Sequence, residues 1–187
     1  RTEGEISLFT DGKFCKSERG ELQLTEYGIS GIPVFQLSTY AVRAVREGHK
    51  AELRINFMPE LSEEELKKLL YARKKACPYK KEKELLVGLF PEKLIKILIS
   101  QKQLVSAIRE FPLEVQDGMS FSQAQVCSGG VDTSQVNSQT MESKLCRGLY
   151  FAGELLDIDG TCGGYNLQWA WSSGAVAGKN AAKEEKN

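Results

Sequence analysis

Charge is spread unevenly along this chain, and that unevenness constrains where its parts can lie. Residues 1–58 carry eight basic and eight acidic side chains, residues 59–110 carry twelve and eight, and residues 111–170 carry only two and seven. A Lys-rich middle of this kind reads as solvated helix, whereas the sparsely charged, Gly-rich stretch after it reads as a buried or ligand-facing segment. Across the whole chain the charges cancel, 25 against 25 with one histidine, so the basic excess of a nucleic-acid module is missing. With 187 residues, 41% of them hydrophobic, the chain can bury a core without a disulfide or metal staple.

Within the first block, EISLFTDGKFCKSE reads as two short strands around the turn pair Asp11-Gly12. ELQLTEYG alternates Leu22 and Leu24 with polar neighbours and reads as a third strand ending at Gly28. The period then changes: Pro33 suits a first helical turn, Val34, Leu37, Ala41, Ala44 and Val45 recur at helical spacing, and Gly48 ends the run. KAELRINF alternates again as a strand. From Pro59 the pattern is helical, with Ser62 as N-cap, acidic residues in the first turn and basic ones toward the end, matching the helix dipole. Further short helices are predicted near 81–89, 91–99 and 101–110. PLEVQDG and FSQAQVCSGG then read as strands. The resulting fold class is α+β: a β-rich, barrel-like domain over 1–58 and 111–135, a helical insertion over 59–110, and a C-terminal strand-helix segment over 136–187.

Five cysteines, Cys15, Cys77, Cys127, Cys146 and Cys162, are odd in number and lack any C-x-x-C spacing, which argues against zinc and against a secreted disulfide framework. A reduced, cytoplasmic setting is expected. No apolar run reaches the ~18 residues of a membrane span, so no membrane partner is expected. The opening Arg1 leads us to expect a piece of a longer protein.

The densest chemical signal is GLYFAGELLDIDGTCGGYNLQWAWSSGAVAG, residues 148–178. Gly148 to Ala152 reads as a short buried strand that stops at Gly153-Glu154, where α/β proteins hold ligand hydroxyls at the sheet edge. Asp157 and Asp159 follow, and Gly163-Gly164-Tyr165-Asn166 opens a long helix. Paired glycines let backbone approach a ligand closely, and the first amides of a helix point unsatisfied N–H groups toward it. Ala170, Gly174 and Gly178 repeat every four residues, a face suited to close packing.

This run, with Ser128-Gly129-Gly130-Val131 and Ser143-Lys144-Leu145 before it, closely resembles the C-terminal part of the HI0933-like (BaiN/YhiN-type) flavoprotein family. Leu24 to Gly31 resembles that family's middle domain. The resemblance implies FAD- or NAD(P)-linked oxidoreductase chemistry, in which a Rossmann-like FAD domain is interrupted by a β-rich domain carrying a helical insertion. It implies that Gly129 and Gly130 approach the isoalloxazine, that Gly153, Glu154 and Asp157 face the ribityl-pyrophosphate region, and that Gly163, Gly164, Tyr165, Asn166 and Gln168 line the flavin. FAD is the implied cofactor, NAD(P)H the implied electron donor and a small molecule the implied substrate. One departure stands out: no G-x-G-x-x-G opens a helix in this chain, so the N-terminal FAD domain is an expected partner.

Several other features have plainer readings. Arg73, Lys74, Lys75, Lys80, Lys81 and Lys83 read as a solvated helix face without an aromatic platform, so no nucleic-acid partner is expected. His49, after a helix-ending glycine, reads as capping or exposed. Trp169 and Trp171 are about 200° apart on a helix, so at least one belongs to a core. No side chain is assigned as a catalytic acid or base. The competing functional class is a non-catalytic interaction or oligomerisation module.

Overall fold

The computed structural model describes residues 1–118, 122, 124 and 126–184. The fold is α+β, and the chain divides into two compact units, Arg1–Gly118 and Met119–Asn187. The division falls at 118, and residues 59–110 lie within the first unit.

The first unit is built on a five-stranded antiparallel sheet in the order β3-β2-β1-β4-β5. β1 (Thr2–Thr10) and β2 (Lys13–Leu24) form the expected hairpin, with Asp11 and Gly12 in the turn at φ 48° and 77°. The turn is anchored beyond itself. Asp11 Oδ1 accepts from the Lys50 amide at 3.0 Å, and Asp11 Oδ2 lies 2.8 Å from His49 Nδ1. These bonds hold the Asp11 carboxyl below its ordinary value, the Lys50 amide contributing most and His49 next. His49 is therefore exposed and paired.

One expected element is corrected. Glu21 to Leu24 does not start a third strand but continues β2, because its residues stay in register with Thr2 and Glu3 of β1. The strand β3 is only Ile29–Ser30, pairing with Leu24 and Gln23. Alternation along β1 turns Gly4, Ile6 and Leu8 inward, and α1 (Ile32–Arg46) brings Pro33, Leu37, Ala41 and Ala44 into the core. Pro33 sits in the first turn, as its fixed φ favours.

β4 (Ala51–Asn56) and β5 (Phe111–Val115), which flank the Lys-rich stretch, pair with Leu53 opposite Leu113 and Ile55 opposite Phe111. Between them, α2 (Glu63–Ala76) begins at a capping box: the Glu65 amide donates to Ser62 Oγ at 3.2 Å and the Ser62 amide to Glu65 Oε2 at 2.8 Å. α3 (Glu82–Leu85), α4 (Glu92–Ile99) and α5 (Leu104–Arg109) follow. Arg73 does not simply face solvent. Its Nε and Nη2 donate to the carbonyls of Leu85 and Val87 at 2.7 and 2.8 Å, tying α2 to the turn after α3. Leu94, Ile95 and Leu98 of α4 join the same core as the sheet.

The second unit is organised differently. Its one long helix is α6 (Tyr165–Glu184), and short 3-10 turns occur at Thr133–Gln135 and Gly153–Leu155. Residues 148–152, expected as a strand, are reduced to an isolated antiparallel bridge between Tyr150 and Glu142. The apolar run is real, but a buried parallel strand needs neighbouring strands on both sides, and the described residues of this unit supply none. Residues 126–130 are likewise irregular; residues 119–121, 123 and 125 of the other expected strand lie outside the described residues. A small core of Val136, Met141, Leu156 and Ala177 holds the unit, with Trp169 packed against it.

Candidate functional site

The turn into α6 is the first component of the site. Gly163 and Gly164 adopt φ of 119° and 95°, which residues with a Cβ rarely tolerate. Around Gly164 the space a Cβ would fill is open, and Tyr165 is 65% exposed. The first bond along the helix runs from the Gln168 amide to the Gly164 carbonyl at 3.0 Å. The amides before it are those that a helix start leaves without an internal partner. Asn166 fixes the path of the preceding loop: its Oδ1 accepts from the Gly160 amide at 2.8 Å and its Nδ2 donates to the Gly160 carbonyl at 3.0 Å. Gln168 Nε2 donates to Ser172 Oγ at 2.9 Å, one turn further along.

A second component is the Gly153 corner. Gly153 has φ 68°, its amide donates to Ser173 Oγ at 2.9 Å, and its carbonyl accepts from Trp169 Nε1 at 3.1 Å. Ser173, only 2% exposed, in turn donates to the Trp169 carbonyl at 2.6 Å. Both backbone groups of Gly153 are thus held by α6. Trp169 is the tryptophan that packs into the core, and Trp171 is 68% exposed. Neither Ser173 nor the Trp169 indole was expected at the site. The signal was present in the four-residue spacing that puts both on one face of α6.

The third component joins two loops. Glu154 Oε1 accepts from the Cys127 amide at 2.9 Å, and Asp157 Oδ1 accepts from the Gly129 amide at 3.1 Å. The Val131 amide donates to the Leu155 carbonyl at 2.8 Å, and the Asp157 amide to the Val131 carbonyl at 3.0 Å. Gly130 is required by this contact. A Cβ there would stand 2.6 Å from the Leu155 carbonyl oxygen and 2.9 Å from the Asp157 nitrogen. Its neighbour Gly129 differs, since the space beside it is open.

All ten expected residues therefore fall in the second unit, where contacts group them into the α6 start, the Gly153 corner and the 127–131 strap. The face of α6 formed by Gly174 and Gly178 has open space where their Cβ atoms would stand. In the first unit, a separate apolar cleft of about 570 Å³ is lined by Leu70, Leu85, Leu86, Leu104 and Val105, with Lys74, Glu82 and Gln103 also at its wall. The Lys-rich stretch has one feature that its charge alone conceals: Tyr71 and Tyr79 are 70% and 80% exposed within it. No group of three or more metal-ligating side chains occurs among the described residues. No helix there is long and apolar enough to cross a membrane.

Comparison with known proteins places these features in context. The family model described as the HI0933-like protein Rossmann domain matches residues 19–180. A 3-dehydro-bile acid delta(4,6)-reductase from Clostridium scindens is 38% identical over 98% of this chain and 49% of its own length. Ribosomal RNA dihydrouridine synthases from Haemophilus influenzae and Escherichia coli are 36% and 33% identical, over 84% and 83% of this chain and 41% and 40% of their lengths. The chain thus spans about half the length of the curated relatives it matches, or less.

Proposed function

Because the chain belongs to the HI0933-like family, we propose that it forms part of a flavin-dependent oxidoreductase that reduces an unsaturated small-molecule substrate. The observation that carries this reading is the Gly163-Gly164 turn, at positive φ and open beside Gly164, leading into the start of a 20-residue helix. Such a turn admits a flat ring against the backbone, and the positive end of the helix favours negative charge or an electron-rich oxygen. The residues present fit a flavin on this test.

When bound, FAD supplies the hydride transfer, with NAD(P)H as electron donor. The protein's part is to bind, orient and tune. Gly163, Gly164, Tyr165, Asn166 and Gln168 would line the ring side, with the Asn166 side chain also bonded to the Gly160 backbone. Gly129 and Gly130 would bring backbone close to the isoalloxazine. Gly153, Glu154 and Asp157 would border the ribityl-pyrophosphate side, where the Ser173 and Trp169 clamp keeps the corner rigid. A Rossmann-like FAD domain outside this chain would hold the rest of the nucleotide. The protein would work in the cytoplasm.

The reaction class follows the names of the relatives, one a reductase of a bile acid and two that synthesise dihydrouridine. Reconstitution with FAD tests the reading: the purified protein containing both this chain and the FAD domain should retain flavin absorbance in the visible after desalting. Complete loss of the flavin on desalting would contradict it.

A second substrate class, RNA, is favoured by one specific observation, the exposed Tyr71 and Tyr79 among Lys74, Lys75, Lys80, Lys81 and Lys83. Aromatic faces interleaved with cations can stack bases and neutralise phosphates. Under this reading a single-stranded RNA oligonucleotide binds with an affinity that falls steeply with salt. Absence of binding at low salt removes it.

A further inference from the structure

Resting on the flavin reading above, we infer that Glu154 and Asp157 are positioning residues, acting on the cofactor through the Cys127–Gly130 segment that they hold by its backbone. Both carboxylates turn toward this segment. They accept from alternate amides, Cys127 to Glu154 at 2.9 Å and Gly129 to Asp157 at 3.1 Å. Residues 127–130 belong to no helix or strand, so no ladder of regular bonds defines their path. These two side-chain struts and the reciprocal backbone bonds of Val131 with Leu155 and Asp157 hold the segment against residues 154–157.

Charge and packing agree with this assignment. An amide bonded to a carboxylate is a charge-assisted donor, roughly twice as strong as a neutral one. Two such bonds can order an exposed loop that has little apolar surface to bury. Gly130 shows how closely the loops are drawn together, since its Cβ position is filled by the backbone of Leu155 and Asp157. Gly129 presents open space instead. The strap therefore pulls one glycine inward and leaves the next free for a ligand to approach.

FAD titration of the protein containing both this chain and the FAD domain, combined with amide NMR of its cofactor-free form, tests the assignment. Glu154→Ala should weaken FAD binding about tenfold, the cost of ordering the released segment when FAD binds. It should also move the Cys127 amide proton resonance upfield before any FAD is added. Asp157→Ala should do the same to FAD binding and to the Gly129 resonance. Glu154→Gln, whose side-chain carbonyl can still accept, should recover most of the affinity that the alanine loses. The double alanine variant should lose less than the product of the single effects, because either substitution already releases the segment.

Weakened FAD binding with an unmoved Cys127 resonance would overturn the assignment, as would a glutamine variant no better than alanine. Either would mean that the carboxylate acts otherwise than through the amides of this segment. If Glu154→Ala does not fold, Asp157→Ala compared with Asp157→Asn gives the same two readouts. If the unaltered protein takes up no FAD, the flavin reading fails on its own. The cofactor-free resonances then still decide the strut: movement in the alanine variants supports it, and none overturns it.

Discussion

Each of the two units holds its own fold by different means. In the first, 18 buried residues form one continuous hydrophobic core beneath regular ladders and helices. In the second, the described residues give a buried core of four, and side chains bonded to distant backbone hold the loops. A core that large is set by the periodicity of the sequence, and it tolerates exposed loops because apolar burial dominates its stability. A core that small leaves the path of the chain to individual polar contacts. The unit with less burial carries the candidate site, where groups must be held without being sealed away from a ligand.

The largest expected effect lies in the first unit. Ile6→Ala removes a fully buried side chain between β2 and β4 and should cost about 3–4 kcal/mol in urea unfolding. A loss below about 1 kcal/mol would mean that burial does not dominate there. Next comes Gly130→Ala, which meets the Leu155 carbonyl and should cost about 2–3 kcal/mol. Amide exchange should locate that loss in the second unit, and a global loss of protection would erase the distinction between the two.

Ser173→Ala strands the buried Gly153 amide and should cost about 1–3 kcal/mol, measured by the same unfolding. A neutral result would show that the polar clamp is dispensable. The smallest effect concerns pH. The folded Asp11 carboxyl lies below its ordinary value of 3.8, so its contribution is complete above that pH and is lost as pH falls through the lower, folded value. Asp11→Asn should therefore flatten the acid limb of the thermal stability profile below about pH 3.8 and lower stability slightly above it. An acid limb of unchanged steepness would remove Asp11 from the account.

Legibility in the sequence follows the same division. Asp11-Gly12, Pro33 and Ser62 announced a hairpin, a helix start and a capped helix, because each acts on residues within a turn of itself. The Gly163-Gly164 entry to α6 was readable for the same reason. Glu154 and Asp157 were singled out, but their partners Cys127 and Gly129 lie more than two dozen residues away, and no local pattern pairs them. Gly130 looked like its neighbour Gly129 in the sequence, yet its lack of a side chain serves the protein's own backbone. The apolar run at 148–152 misled because hydrophobicity alone does not say whether neighbouring strands are present to pair with it.

The central claim is that the open turn into α6 faces a flavin. It is tested most directly by following backbone amide resonances while FAD is added to the protein. The account predicts saturable shifts concentrated at Gly163, Gly164, Tyr165, Asn166 and Gln168, with a second group at Gly129 and Gly130. Saturable FAD binding that leaves those resonances in place and moves others would contradict it, as would a titration in which nothing moves.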